Sequence, residues 1–320
     1  MSKLPTTAFL FPGQGSQAAG MGKELAALYP VARQTFDEAD EALAYKLSEL
    51  CFEGPEEKLR LTEITQPAIL TVSVAVYRVL ESVGLTPSFV AGHSLGEYSA
   101  HVAAGTIDFA DAVRTVRNRG KYMQEAVPVG TGSMAAILML GMAEIESACR
   151  EAAQGEVCEP ANINSPGQVV ISGAKGAVER AAELCKQKGA KRAVILPVSA
   201  PFHCAMMKPA QDRLAADLKS LHLHRPELPV LCNVDAALVT EADVARDALV
   251  RQVTGAVRWE ESIRALIAAG VEQFVEVGPG KVLSGLMRQI DKTRPCLNVE
   301  DEASLQAAKN HFAQKKSEAE

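Results

Sequence analysis

Short apolar runs alternate with helical patterns along most of this chain, and one block in its middle breaks the rhythm. TTAFLF (6–11), SFVAGHS (88–94), PVLCNV (229–234) and QFVEVG (273–278) have the length and composition of buried strands. Helical patterns lie between them: one ending near Tyr29, QPAILTVSVAVYRVLESVG (66–84), LGEYSAHVAAG (95–105), WEESIRALIAAG (259–270) and one over about 280–290. In the 66–84 stretch, Pro67 suits a first helical turn and Gly84 suits a helix end. Residues 31–61 carry many acids and read as surface helices. Strands alternating with helices predict a parallel sheet covered on both faces. Between 132 and 198 the order changes to strand (GSMAAILML), helix, two strands joined at Ser165-Pro166, helix (175–188) and strand (KRAVILPV). That is βαββαβ, the split unit of ferredoxin-like folds. The expected architecture is α/β: a large domain from 1–128 and 200–305, with a small ferredoxin-like domain, 129–199, inserted in it. The cleft between the two is the default ligand site. Residues 306–320 are polar and are expected to be a frayed tail.

The composition narrows the function. The 320 residues hold 33 basic and 39 acidic side chains, a net charge of −6, which argues against a nucleic-acid partner. No apolar run reaches the ~18 residues of a membrane span, and the N-terminus lacks the pattern of a secretory signal. The seven cysteines are scattered, odd in number and form no CxxC pair, as in a reduced, cytoplasmic protein. Cys204 follows a histidine, but a small buried hydrophobe is its simpler reading.

Gly92-His93-Ser94-Leu95-Gly96 is a GxSxG motif between an apolar strand and a helix, the setting of a nucleophile elbow. The glycines permit the tight turn, and the Leu95 N–H at the helix start could stabilise an oxyanion. A serine nucleophile needs a base. Of the six histidines, His93 lies inside the elbow, His101 two turns down the helix and His311 in the tail. His222 and His224 form an HxH pair with no evident third metal ligand. His203, in SAPFHC where the small domain returns to the large one, is the candidate base by elimination. FPGQGSQ (11–17) begins a loose dinucleotide fingerprint, but the acids about 20 residues on, Asp37, Glu38 and Asp40, sit in a helical, exposed-looking stretch. The loop could instead supply an oxyanion donor. Gly280-Lys281 fails the phosphate-loop pattern at Val275 and Val282. Two basic clusters stand out: Arg114, Arg117, Arg119 and Lys121, and then Lys186, Lys188, Lys191 and Arg192. Each is either a solvated face or a docking patch for an acidic partner, and an arginine of the first could fork-bind a substrate carboxylate.

Several motifs occur together in a familiar order: FPGQGSQ, ITQPA (64–68), GHSLGEYSA (92–100), Arg119-Gly-Lys-x-Met123, NINSPGQVVISG (162–173), APFH (200–203) and VEVGPG (275–280). From about residue 6 to 300 the chain closely resembles the malonyl-CoA:acyl-carrier-protein transacylases of type II fatty acid synthesis. It more distantly resembles acyltransferase domains of polyketide synthases. The resemblance implies a hydrolase-like core with a ferredoxin-like insertion. It implies Ser94 as nucleophile, His203 as base and the backbone carbonyl of Gln252, instead of an acid, orienting that base. It implies an oxyanion hole from the N–H groups of Gln14 and Leu95, and Arg119 pairing with the malonyl carboxylate. Gln66, Met123, Asn162 and Gln168 match positions near the substrate, and Phe202 resembles the version that disfavours methylmalonyl. The implied substrate is malonyl-CoA, the partner an acidic acyl carrier protein docking near Lys186–Arg192, with no permanently bound cofactor and no metal. The rival readings are a serine hydrolase such as a thioesterase, and a non-catalytic carrier-binding module. The more than 100 residues after His203 favour the acyltransferase, since most α/β hydrolases carry their histidine near the C-terminus.

Overall fold

The computed structural model describes residues 5–319, so the first four residues assigned to the large domain, and Glu320, lie outside the described residues. The strands are β1 (Thr7–Phe11), β2 (Phe89–Gly92), β3 (Gly132–Leu138), β4 (Cys158–Ser165), β5 (Gln168–Ala174), β6 (Arg192–Ile195), β7 (Val230–Cys232), β8 (Ala237–Val239), β9 (Gln273–Val277) and β10 (Cys296–Val299). They form two sheets. The first has the order β10-β9-β1-β2-β7-β8, and every pair in it is parallel except the terminal β7–β8 hairpin. The second is antiparallel, β4-β5-β3-β6, the strand order of a ferredoxin-like unit.

The central strands are fully buried because helices cover both faces, which is why they read as unbroken apolar runs. Alternate residues serve two cores. Phe9 and Phe11 of β1, with Val275 and Val277 of β9, meet the long helices Thr62–Ser82 and Phe109–Glu125. Ala8, Leu10 and Phe274 face the other way, onto Trp259–Ala268 and Val282–Ile290. A third core, including Ala135, Ile137 and Ile171, lies under the helices Met142–Ala153 and Lys175–Gln187 of the antiparallel sheet.

Some expectations need correcting. The helix expected to open at residue 66 starts at Thr62, so Pro67 sits inside it. Its first turn is held by Thr65, whose Oγ1 donates to the carbonyls of Leu59 and Leu61. The acidic stretch 31–61 is helical but hides an apolar face, with Phe36, Ala39, Leu43, Leu47 and Cys51 buried. The stretch expected to fray forms the helix Glu302–Ala319, docked by Leu305 and Ala308 on the core beside β10. Among the described residues, no helix is long and apolar enough to cross a membrane.

If the terminal helix is anchored as described, Leu305→Ala is expected to cost about 2–5 kcal/mol in urea-unfolding free energy. A frayed tail would give a change near zero.

Candidate active site

β2 lies between β1 and β7 near the middle of the parallel sheet and ends at Gly92. The chain then turns sharply through Ser94, at φ 52°, into the helix Gly96–Ala103. A residue with a Cβ seldom occupies that left-handed region, so the turn must be held from outside. Part of the hold is close backbone packing. A Cβ at Gly92 would lie 1.9 Å from the Gly96 carbonyl, and one at Gly96 would lie 2.1 Å from the carbonyl oxygen of Phe11. A Cβ at Gly13 would lie 2.5 Å from the His93 carbonyl oxygen. The glycines therefore let the loop after β1 press against the elbow. The rest of the hold is polar. The Ser94 N–H donates to Asn233 Oδ1 at 2.7 Å, and Asn233 Nδ2 donates to the Gly92 carbonyl at 2.7 Å.

Ser94 Oγ lies 2.7 Å from His203 Nε2. His203 Nδ1 faces the backbone carbonyls of Gln252 at 2.9 Å and Gly255 at 3.2 Å. Carbonyls only accept, so Nδ1 carries the proton and Nε2 presents a lone pair to the serine hydroxyl. That is the tautomer a general base requires. His203 is 4% exposed, and its φ of 58° is also left-handed. Burial, reinforced by the Arg119 cation, pushes its pKa down to about 3.

Arg119 is 1% exposed. One guanidinium nitrogen donates to Gln66 Oε1 at 2.8 Å, and the other to Gln252 Oε1 at 2.9 Å and to Ser94 Oγ at 3.2 Å. Its carbon sits 5.6 Å from the centroid of the Tyr98 ring. Among the described residues no carboxylate is within ion-pair distance of it. Burial holds its pKa below the usual arginine range. The other members of its basic cluster point elsewhere: Arg114 pairs with Asp111, Arg117 lies over Tyr45, and Lys121 pairs with Glu125.

Of the remaining sequence candidates, Leu95 is buried at the helix start and Gln14 is exposed in the loop after β1. Met123 is buried, with its sulfur 3.8 Å from Gln66 Nε2, and Phe202 packs into the main core beside His203. Asn162 is on β4, bridged to Val257, while Gln168 starts β5, half-buried and paired with Leu138 and Ser165. Lys186 and Lys188 pair with Glu183 and Glu151, and Lys191 and Arg192 are exposed. Cys204 is buried and donates to the Pro201 carbonyl. Among the described residues, no group of three His, Cys, Asp or Glu side chains could hold a metal ion.

The sequence assigns no role to three parts of this cluster, Glu97, Asn233 and the Gln252 side chain. Glu97, fully buried one turn after Ser94, accepts from the Asn233 N–H at 2.9 Å and from Gln252 Nε2 at 2.8 Å. Asn233 and the Gln252 side chain complete the network. The one local signal is an acid within a helix whose other buried residues are mainly small or apolar.

A parallel α/β sheet with a serine on a strand-to-helix elbow and a histidine against it is the layout of a serine acyl-group enzyme. The chain belongs to the acyl transferase family, whose domain model matches residues 8–314. It is 55% identical over 302 residues to the malonyl CoA-acyl carrier protein transacylase of Escherichia coli K12, covering 94% of this chain and 98% of that protein. The crystal structure of an acyl carrier protein S-malonyltransferase from Vibrio cholerae superposes with a TM-score of 0.93 at 54% identity, covering 95% of this chain and 99% of that one. A malonyl-transacylase in complex with its type II PKS acyl-carrier protein does so with a TM-score of 0.93 at 51% identity, covering 96% and 99%.

Two consequences for pH follow. His203 stays neutral well below its ordinary 6.5, so reaction of Ser94 with a neutral reagent such as phenylmethylsulfonyl fluoride should lose rate only below about pH 5. An acid limb centred near 6.5 would mean a solvated imidazole. His101, also buried, is likewise pushed down to about 3. The unfolded chain binds protons at both sites that the native chain excludes, so the urea midpoint should fall as pH drops from about 6.5 toward 3.

Proposed function

We propose that this chain transfers a malonyl group from coenzyme A to the phosphopantetheine thiol of an acyl carrier protein, by a ping-pong route through a malonyl-serine. The observation that carries the reading is Arg119. A buried cation with no carboxylate within ion-pair distance among the described residues, 3.2 Å from the candidate nucleophile, suits an acyl group that ends in a carboxylate. The names of the relatives above support the same substrate and the same acceptor.

In the first half-reaction Ser94 Oγ attacks the thioester carbonyl while His203 Nε2 takes the hydroxyl proton. The carbonyl oxygen gains negative charge facing the N–H groups of Leu95 and Gln14. The C–S bond breaks, and His203 returns the proton to the departing coenzyme A sulfur. In the second half, the carrier thiol gives its proton to His203 and attacks the ester. Ser94 then leaves with that proton, and the acyl group ends on the carrier. The carbonyls of Gln252 and Gly255 hold the imidazole ring throughout. An acetyl group would leave the guanidinium unpaired, a penalty that favours malonyl. Gln66 and Met123 back the arginine, while Asn162, Gln168 and Phe202 border the acyl site. On this reading 129–199 is a domain inserted between 1–128 and 200–305. The acidic carrier docks beside β6, where Lys191 and Arg192 are exposed and Lys186 and Lys188 lie close in sequence.

Intact-protein mass spectrometry tests the route. Wild type mixed with malonyl-CoA is expected to gain one malonyl adduct, which added carrier protein removes and carries. Ser94→Ala should gain none. An adduct that decays to free malonate at the same rate with or without carrier would make the protein a hydrolase.

A further inference from the structure

The side-chain amide of Gln252 sits at the crossing of the cluster, and its partners admit only one orientation. Oε1 faces Arg119, which can only donate. Nε2 faces the Glu97 carboxylate at 2.8 Å and the Ser94 carbonyl at 3.0 Å, which only accept. Turned by 180°, the amide would point its N–H groups at the guanidinium and its oxygen at two acceptors. Glu97 is held in turn by the Asn233 N–H, donated to the same oxygen, Oε2. Its other oxygen, Oε1, is buried and has no partner among the described residues.

We infer that Glu97, acting through the Gln252 amide, is a positioning residue for Arg119 and so a determinant of acyl selectivity. Glu97 anchors the amide N–H, the anchored amide presents its oxygen to the guanidinium, and the guanidinium is thereby aimed at the space beside Ser94 Oγ. The interposed amide also keeps the acid off the cation. A direct ion pair would neutralise Arg119 and compete with an incoming carboxylate, whereas a neutral acceptor fixes its geometry and leaves its charge available. Only Oε2 does this work. Protonation of the idle Oε1 leaves that acceptor in place, which matters because burial lifts the Glu97 pKa to about 7.

A selectivity role for Glu97 presupposes the malonyl reading above, and the test separates the two. The ratio of Ser94 acylation by malonyl-CoA to that by acetyl-CoA (each as kcat/KM from single-turnover mass spectrometry) is measured for wild type, Glu97→Gln, Glu97→Leu, Gln252→Leu and the double leucine variant. A glutamine at 97 can offer one carbonyl oxygen to both donors, so it should keep the wild-type ratio. Glu97→Leu should lower the ratio by about tenfold, mainly through the KM for malonyl-CoA, the change expected from about 1.4 kcal/mol of lost pairing. The double variant should match Gln252→Leu alone, because Glu97 acts only through that amide. If Glu97→Leu slows both donors equally, or if its effect adds fully to that of Gln252→Leu, the inference is wrong. Should Glu97→Leu not fold, an unchanged ratio in Gln252→Leu, or a tenfold loss in Glu97→Gln, overturns it equally. A wild type that takes no malonyl group refutes instead the functional reading on which it stands.

Discussion

The structure depends on how closely the backbone at Gly96 approaches the carbonyl of Phe11. At 2.1 Å from a notional Cβ, only glycine fits, and this contact sets the end of β1 against the start of the helix that follows β2. Everything reactive hangs on that approach. It forces the turn through Ser94, raises its hydroxyl above the sheet, and brings the loop 11–17 alongside. The strained turn is then pinned from afar: Asn233 takes the Ser94 N–H, and the Gln252 amide donates to the Ser94 carbonyl. Both of these come from segments following strands or helices more than 130 residues away.

Charge is handled with similar indirectness. Three ionisable groups, Glu97, Arg119 and His203, are buried within one network. None is directly ion-paired with another: the Gln252 amide stands between Glu97 and Arg119, and the Ser94 hydroxyl between Arg119 and His203. Burial therefore moves all three away from their usual pKa ranges: the acid up, the imidazole down to about 3, and the guanidinium below its ordinary value. A histidine oriented by backbone carbonyls stays neutral and basic at Nε2 without a negative partner. A carboxylate in that place would draw the imidazole toward its charged form and compete for the neighbouring arginine.

The sheet was legible because parallel strands buried on both faces are short apolar runs, and the elbow because its geometry demands glycines at fixed spacing. The antiparallel unit announced itself by the order of its elements. What escaped had no local signature. β8 and β10 are three and four residues long at the sheet edges, each with a single buried residue, Val239 and Val299. The terminal helix is polar almost all round and docks by a few scattered side chains, Leu305, Ala308 and Phe312 on the core and His311 against Gln273. Arg119 was named through the resemblance, but its basic run did not single it out: only the helix phase separates it from Arg117, two residues back and facing a tyrosine outside the site. Glu97, Asn233 and the Gln252 amide find each other across 136 and 155 residues, a relation that no window along the chain displays.

Strand β4 is stitched to the loops beside the parallel sheet. The Ile163 N–H donates to the Val257 carbonyl and the Val257 N–H to the Ala161 carbonyl, both at 2.8 Å, and His93 of the elbow reaches Asn164 at 2.8 Å. All three stitches fall on β4, one margin of the antiparallel sheet, while β6 forms the opposite margin. The molecule is thus bound like a book. Its spine runs beside the nucleophile, where the spacing is fixed by main-chain bonds. Because one of the three stitches is made by His93, the residue before Ser94, the spacing between the two sheets is set where the nucleophile sits.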